Sequence, residues 1–198
     1  MAETERNTCD DHSLAAKFLE IHQCFDKVYS FNYTIYDVLP YVGRNNLEPM
    51  RPTYVHNEAL SEGEIVFGIG ENDCNCLEYE FLKKINQSYN PTEILHDLKN
   101  ADEVLFFGHS LNRIDWDYFD VFFKDCCMGY QIENKRHITM ANLENNRDRI
   151  RLQLHKMKVN LTKLTNLCKL DYISTDRYSL GYYDEKEKVN NLIKRWNN

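Results

Sequence analysis

The sequence predicts an α/β fold in which a parallel sheet is flanked by helices. Short apolar segments alternate along the chain with segments whose hydrophobic residues recur every three or four positions, which is the order of strands and helices in such folds. The clearest strand covers residues 103–108, Glu-Val-Leu-Phe-Phe-Gly. This segment is apolar on both faces, which is typical of a strand buried within a parallel sheet.

Composition favours a single folded domain. The chain has 198 residues, of which 42% are hydrophobic and 28% are charged, so it can form one hydrophobic core and is not typical of a disordered protein. The net charge is −7, and the lysines and arginines are interleaved with acids. We therefore expect no surface for nucleic acid, because such surfaces need clustered cations to neutralise phosphates.

Three further features of the sequence bear on where in the cell the protein is located. Residues 1–11 are polar and lack the apolar core of a signal peptide, and no stretch reaches the roughly 20 apolar residues that a membrane span requires. Seven cysteines at irregular spacing favour reduced thiols over a disulfide framework. These features predict a cytoplasmic protein that binds neither membrane nor nucleic acid.

The first half of the chain predicts helices and strands in alternation. Apolar residues recur on one stripe from Ser13 to Val28, which predicts a helix that Ser13 can cap. A strand then begins at Tyr29 and presents Asn32 at its carboxyl end, and residues 53–56 predict a short strand that ends at His56. Three more elements are predicted before residue 101: a strand at 64–70, a helix at 77–88 and a helix at 91–100.

The second half predicts a similar alternation followed by helices. After the strand at 103–108 we expect four elements: an aromatic helix at 116–124, a strand at 137–140, a long charged helix at 142–163 and a final helix at 185–196. The chain is thus predicted to be one domain, with disordered residues 1–11, an α/β core over residues 12–140 and a helical C-terminal part over residues 141–198.

Polar residues end three of the predicted strands: Asn32, His56 and the turn Gly108-His109-Ser110. In open parallel sheets the ligand crevice lies outside the carboxyl ends of the strands, so we expect these side chains to meet there. A carboxamide, an imidazole and a Gly-Ser turn suit a nucleotide or ribose ligand.

Two of these residues suit catalysis. Asn32 would orient a ribose hydroxyl or a water molecule, and His56 would act as a general base near neutral pH. Each also has a structural interpretation. Asn32 could close a turn through its side chain, and His56 could be a hydrogen-bonded surface histidine.

The turn after the clearest strand suits ligand binding. Gly108 lets the backbone approach a ligand closely, Ser110 offers a donor to a hydroxyl or a phosphate, and Asp115 can accept from a ribose hydroxyl. His109 is either catalytic or a neighbour that shapes the turn.

Four blocks resemble, in the same order, proteins of the phage-defence family AbiH: Phe31-Asn32-Tyr33-Thr34, Val55-His56, residues 65–69, and Gly108-His109-Ser110-Leu111 with Asp115 and Tyr118-Phe119. The resemblance covers about residues 28–140 and is most specific in the Gly-His-Ser-Leu block. That family is similar to the sirtuin-like fold, a Rossmann-like domain that binds nicotinamide adenine dinucleotide (NAD). The resemblance implies that Asn32 and His56 are catalytic and that Gly108, His109, Ser110 and Asp115 bind NAD.

The sequence departs from the family pattern at two points. AbiH proteins resemble one another in beginning with a strand and a Gly-Asn-Gly-Phe-Asp turn that would cradle phosphates, and nothing here matches it. This predicts a sheet that is incomplete at the N-terminus, whose exposed strand edge favours a homo-oligomer. Asn57 stands where a glycine is expected after the histidine.

The resemblance implies a bacterial antiphage protein that responds to a phage-derived or host protein trigger. Its NAD-binding core would cleave the N-glycosidic bond of the dinucleotide in the full-length family. Two alternatives remain: a noncatalytic module that senses nucleotides or binds proteins, favoured by Asn57 and the unmatched phosphate turn, and an inactive truncated remnant. No metal is expected, because Cys74-Asn75-Cys76 and Cys126-Cys127 lack the paired spacing of structural zinc ligands.

Overall fold

The computed structural model describes residues 25–31, 52–56, 92–113, 115–129, 135–142, 147–176 and 182–196. These residues contain five strands and five α-helices. All strand pairs among them are parallel.

The strands form two sheets. A two-stranded sheet pairs β1 (Tyr29–Ser30) with β2 (Thr53–Tyr54). A three-stranded sheet has the order β3 (Glu103–Phe107), β4 (His137–Asn142) and β5 (Lys169–Ser174). Because the three strands run in register and in the same direction, their carboxyl ends lie at one edge of the sheet.

Five helices connect and follow these strands: α1 (Thr92–Asn100), α2 (Asp120–Met128), α3 (Arg147–Lys156), α4 (Leu161–Leu167) and α5 (Tyr182–Trp196). Local chemistry sets two of their ends. Gly129, with φ of 70°, ends α2 in the left-handed conformation that glycine adopts without a Cβ penalty. The Asn160 side chain starts α4 by accepting from the backbone N–H of Lys163 at 3.0 Å.

Side chains from alternating positions of the three-stranded sheet pack against helices on both faces. One face contributes to the main hydrophobic core, together with residues of α1 to α4: Val104, Phe106, Ile138, Met140, Leu170 and Tyr172. The other face carries Leu105, Ala141 and Ile173, which pack against Val189 and Leu192 of α5. This three-layer arrangement confirms the predicted α/β fold, of the Rossmann-like kind with a parallel sheet flanked by helices.

Aromatic rings form the part of the core next to the end of β3. The ring of Phe123 stacks on Trp116, with 5.4 Å between centroids, and on Phe106 at 6.0 Å. Tyr118 and Phe119, which lie between Trp116 and α2, are at most 2% exposed. A 3-10 helix, Trp116–Tyr118, leads into α2 and is held by this packing. The packing therefore fixes the chain that follows the β3 turn.

Several predicted elements are confirmed where the structure describes them. The helix before residue 101, the strands at 103–108 and 137–140, and the final helix are all present, with boundaries shifted by a few residues. The short strands before Asn32 and His56 are present as β1 and β2. The predicted strand at 64–70 and the helix at 77–88 lie outside the described residues.

Two helix predictions need correction. The sequence predicts a first helix that ends at Val28, but residues 25–28 are not helical, and residues 13–24 lie outside the described residues. The long helix predicted over 142–163 is instead two helices, α3 and α4, separated at Lys158, whose φ is 64°. Asn142 belongs to β4, and the side chain of Asn160 begins a new helix, which the charged pattern concealed.

The C-terminal part, predicted as helical, also contributes the strand β5 to the sheet. Lys169 and Asp171 interrupt the apolar pattern of this strand, so its sequence lacks a clear strand signal. The prediction that β3 is apolar and buried on both faces is wrong at Phe107, which is 38% exposed. Of the strands that the structure describes, β4 is the most buried, because it has a neighbour on each side.

Among the described residues, no helix is both long enough and apolar enough to cross a membrane.

Candidate active site at the carboxyl edge of the sheet

Directly after β3, the chain turns away from the sheet at Gly108. Its φ is 65°, and its N–H donates to the carbonyl of Ala141 at 2.8 Å, so the first residue after the strand is still bonded to β4. A Cβ at this position would meet no atom within 4 Å. Glycine is therefore favoured here by the backbone conformation and not by lack of space, and the turn is open to a ligand.

Leu111 gives the turn its unusual shape. Its φ is 50°, although its side chain is fully buried. A left-handed conformation costs a branched residue about 1–2 kcal/mol. The buried side chain and a hydrogen bond from the Leu111 N–H to Nδ1 of His109, at 2.9 Å, offset this cost. Strained turns of this kind cluster at functional sites.

The same hydrogen bond fixes the tautomer of His109. Because Nδ1 accepts from the Leu111 N–H, it carries no proton, and the imidazole proton lies on Nε2. That Nε2 lies 3.4 Å from Oδ2 of Asp115 and donates to it.

Asp115 joins two histidines. Its Oδ1 lies 3.4 Å from Nε2 of His56, and its Oδ2 faces His109, so each carboxylate oxygen accepts from one imidazole. The Asp115 N–H donates to Oδ1 of Asn112 at 3.1 Å, which holds the carboxylate in place. His56 is 3% exposed and Asp115 is 9% exposed, so the group is largely shielded from water.

Two opposed effects act on the carboxyl of Asp115. Burial alone would raise its pKa, but the hydrogen bonds from His109 and His56 outweigh burial and hold the pKa well below the usual value of 3.8. Asp115 is therefore ionised throughout the physiological pH range, and it keeps the Nε2 proton of each imidazole directed towards itself.

Phe31 packs against both histidines. Its ring centroid lies 4.8 Å from that of His109 and 5.8 Å from that of His56, with the rings nearly perpendicular in both pairs. Tyr118 contacts Phe31 and His56 from the core side, at centroid distances of 5.4 and 6.0 Å. These contacts bring the end of β1, the residues after β2 and the β3 turn together.

The structure thus brings together most of the residues that the sequence singled out. His56, His109 and Asp115 are in direct contact, and Gly108 lies in the same turn. Ser110 is exposed and accepts from Nδ2 of Asn112 at 3.3 Å, on the outside of the turn. Asn32 lies outside the described residues, and Phe31 immediately precedes it in the chain.

The ends of β4 and β5 carry a polar group that is not among the predicted site residues. Asn142 is 8% exposed, and its Nδ2 is buried without a hydrogen-bond partner. Ser174 pairs with Asn142 in the strand register, and Thr175 donates its N–H to the Asn142 carbonyl at 2.8 Å. A buried donor without a partner is costly in a folded protein, so the Asn142 amide is suited to a ligand at this edge.

The signal for Asn142 was present in the sequence. It lies at the end of the apolar segment that begins at His137, which is the position at which Asn32 and His56 were identified. The helix predicted over 142–163 places residue 142 at a helix start, whereas it is the last residue of β4. Among the described residues, no group of three or more His, Cys, Asp or Glu side chains is arranged to hold a metal ion.

A family model described as bacteriophage abortive infection AbiH matches residues 5–133, more than half of the chain. The chain belongs to the AbiH family. This confirms the resemblance inferred from the sequence blocks, and AbiH membership supports a role in bacteriophage abortive infection. No curated protein and no solved structure matches the chain significantly.

The AbiH match covers His56 and the whole turn from Gly108 to Asp115. It ends before β4, so Asn142 and Ser174 lie outside the matched residues while sharing the same edge of the sheet.

Proposed function

We propose that this AbiH protein binds a nicotinamide adenine dinucleotide at the carboxyl edge of its parallel sheet and hydrolyses the bond between nicotinamide and ribose. The observation that carries the proposal is the Asp115 carboxylate held between His56 and His109. An ionised, buried carboxylate that orients an imidazole is the arrangement that activates a general base.

The described residues fit a nucleotide ligand. The open backbone at Gly108 allows close approach, and the exposed hydroxyl of Ser110 offers a donor and an acceptor. The unpartnered Nδ2 of Asn142 offers a further donor, suited to a ribose hydroxyl or a ring nitrogen. These groups lie at or just after the carboxyl ends of the neighbouring parallel strands β3 and β4, where open α/β sheets bind their ligands.

Asp115, His56 and Asn32 have different roles in the proposed hydrolysis. The dinucleotide supplies a scissile bond from ribose to nicotinamide, and water takes the place of the leaving group. Asp115 holds the Nε2 proton of His56, so the ring is oriented, and it stabilises the imidazolium that forms when His56 takes up a proton at Nδ1. Asn32, which follows Phe31 in the chain, would orient the ribose or the attacking water.

His109 has a different task. Its Nδ1 is engaged by the Leu111 N–H and its Nε2 by Asp115, so both ring nitrogens are committed to the turn. His109 therefore positions Asp115, and together with Phe31, which its ring contacts, it lines the site. Of the two histidines, His56 is the one assigned to proton transfer.

The test is NAD hydrolysis by the purified protein and its variants. We expect H56A to lose about 10²–10⁴-fold in turnover, the usual contribution of a general base, and Asn32→Ala to lose turnover through poorer orientation, while both variants still bind the dinucleotide. His155→Ala, a change of the same type on the exposed surface of α3, is the matched control and should leave turnover unchanged. Unchanged turnover in both site variants would refute the proposed mechanism.

A noncatalytic nucleotide sensor is the second candidate, favoured by Asn57 in place of the expected glycine. A sensor would bind NAD without turning it over. The Asn142→Leu variant would then bind NAD more weakly than the wild-type protein does. Binding without hydrolysis would therefore replace the hydrolase proposal with the sensor.

A further inference from the structure

A pair of buried cysteines lies away from the candidate site, on the helix side of the sheet. Cys126 is on α2 and Cys168 is the residue between α4 and β5; each is 5% exposed. The Cys168 thiol donates to the backbone carbonyl of Cys126, with 3.9 Å between sulfur and oxygen, which places Cys168 directly beside Cys126.

A buried arginine faces the sulfur of Cys126. Nη1 of Arg136 lies 3.3 Å from Sγ of Cys126, and Nη2 donates to the carbonyl of Lys99 at 2.8 Å. The guanidinium also lies over the ring of Phe122, 5.2 Å from its centroid. A cation that is 7% exposed and held from several sides is a fixed source of positive potential at one sulfur of the pair.

This environment makes the two thiols unequal. The neighbouring Cys168 thiol and the contact with Arg136 lower the pKa of Cys126, although burial acts in the opposite direction. The neighbouring Cys126 thiol and burial raise the pKa of Cys168. One sulfur is thus poised as a thiolate and the other as a proton-bearing partner, which is the asymmetry of an attacking and a resolving cysteine.

We propose that Cys126 and Cys168 are an oxidisable pair that a hydroperoxide converts to a disulfide. The Cys126 thiolate attacks one peroxide oxygen, the O–O bond breaks, and the displaced hydroxide takes a proton and leaves as water. Cys168 then loses its proton and attacks the resulting sulfenic sulfur, the S–O bond breaks, and a second water leaves. The thiols lose two electrons in total, and hydrogen peroxide gains them.

Cys127 provides an internal comparison. It neighbours Cys126 in the chain, but its thiol donates to the carbonyl of Asn160 at 3.6 Å and burial raises its pKa. Cys127 therefore remains protonated and turned away from the pair, and it does not take part in the cross-link.

The cross-link would join α2 to the start of β5. The two cysteines are 42 positions apart, so the disulfide closes a long loop that contains β4, α3 and α4. Closing a loop of this length restricts the unfolded chain and stabilises the fold. The same bond would tie the helix that carries Phe122 and Phe123 to the strand that ends at Ser174. This proposal is independent of NAD chemistry.

The experiment uses the full chain treated with hydrogen peroxide at pH 7, followed by alkylation, intact mass and peptide mapping without reductant. We expect a loss of about 2 Da and a cross-linked peptide containing Cys126 and Cys168. The melting temperature should rise by about 5–10 °C and return to its starting value after reduction.

Variants separate the pair from its neighbour. Cys127→Ser should retain the cross-link. C168S should lose it and leave a sulfenic acid at Cys126 that dimedone traps, and Arg136→Met should slow oxidation at pH 7 by about tenfold or more because the thiolate fraction falls. Full alkylation of both cysteines in peroxide-treated wild-type protein would overturn the proposal, and this result needs no variant to fold.

Discussion

Replacing Asp115 by asparagine tests the link between the two histidines, because it removes the charge and one acceptor with little change in shape. The carboxylate accepts from Nε2 of His56 and from Nε2 of His109, each at 3.4 Å. Asparagine has one acceptor oxygen, so its NH₂ group must face an imidazole N–H. His109 cannot adapt by moving its proton, because the Leu111 N–H occupies Nδ1.

The size of the effect follows from this geometry. A hydrogen bond to a charged group contributes about 1.5–3 kcal/mol, and distances of 3.4 Å place these bonds at the weaker end. D115N removes the charge from both bonds, and its NH₂ group must face His56, which then has to move its Nε2 proton to Nδ1 or leave two donors facing each other. We expect the free energy of unfolding at pH 7 to fall by about 2 kcal/mol.

The pH dependence gives a second check. The pKa of Asp115 is depressed in the folded state, so its stabilising contribution is present above the unfolded value of 3.8 and is lost as pH falls below it. The stability difference between wild type and D115N should therefore shrink by about 1 kcal/mol between pH 5 and pH 3.

The assay is urea unfolding followed by tryptophan fluorescence at pH 7, 5 and 3. The matched control is Asp102→Asn, which removes an exposed carboxylate before β3 and should change stability by less than about 0.5 kcal/mol. If D115N is as stable as wild type at pH 7, or if the difference grows at pH 3, the bridging carboxylate does not hold the site together.

Three further substitutions test other parts of the structure. Phe123→Ala removes a ring with no exposed surface from the aromatic core and should lower the free energy of unfolding in urea by about 3–5 kcal/mol. Met128→Ala on the exposed end of α2 should lower it by less than about 0.5 kcal/mol. Equal effects of the two substitutions would refute the described packing of Phe123. Gly108→Ala should cost about 1–2 kcal/mol through its φ of 65° alone, because the added methyl meets no atom, and a loss above about 4 would reveal a steric clash. Asn142→Leu should leave stability unchanged or raise it by up to about 1 kcal/mol while weakening NAD binding at least tenfold, and destabilisation would show that the amide has a structural partner.

The strands and helices that the sequence predicted correctly are those with a strong local pattern. The segment at 103–108 is a run of apolar residues bounded by a glycine, and the final helix carries Val189 and Leu192 three positions apart on the face that packs against the sheet. The strand β5 has no such run, because Lys169 and Asp171 occupy positions on a strand that is only half-buried near its start. Its place in the sheet depends on pairing with β4, which no local pattern expresses.

The candidate site shows a similar division. His56 and the turn at Gly108 were correctly predicted to be neighbours, because both lie at the carboxyl ends of predicted parallel strands and such ends meet at one edge of the sheet. The sequence predicted that Asp115 accepts a hydrogen bond from a ribose hydroxyl. It gave no sign that both oxygens of the Asp115 carboxylate accept from imidazoles instead. That contact depends on the positive φ at Leu111 and on the aromatic packing of Trp116 and Tyr118, which direct the chain back towards the strand ends.

Titration of the full chain with NAD, followed by melting temperature and calorimetry, tests the central claim that this edge of the sheet is a dinucleotide site. A ligand that binds only the folded state at 100 times its Kd adds about 2.7 kcal/mol, which corresponds to a rise of about 5–10 °C for a protein of this size. We predict that rise for the wild type and for His155→Ala, and a much smaller one for Asn142→Leu. The absence of both binding heat and a thermal shift at millimolar NAD would contradict the claim.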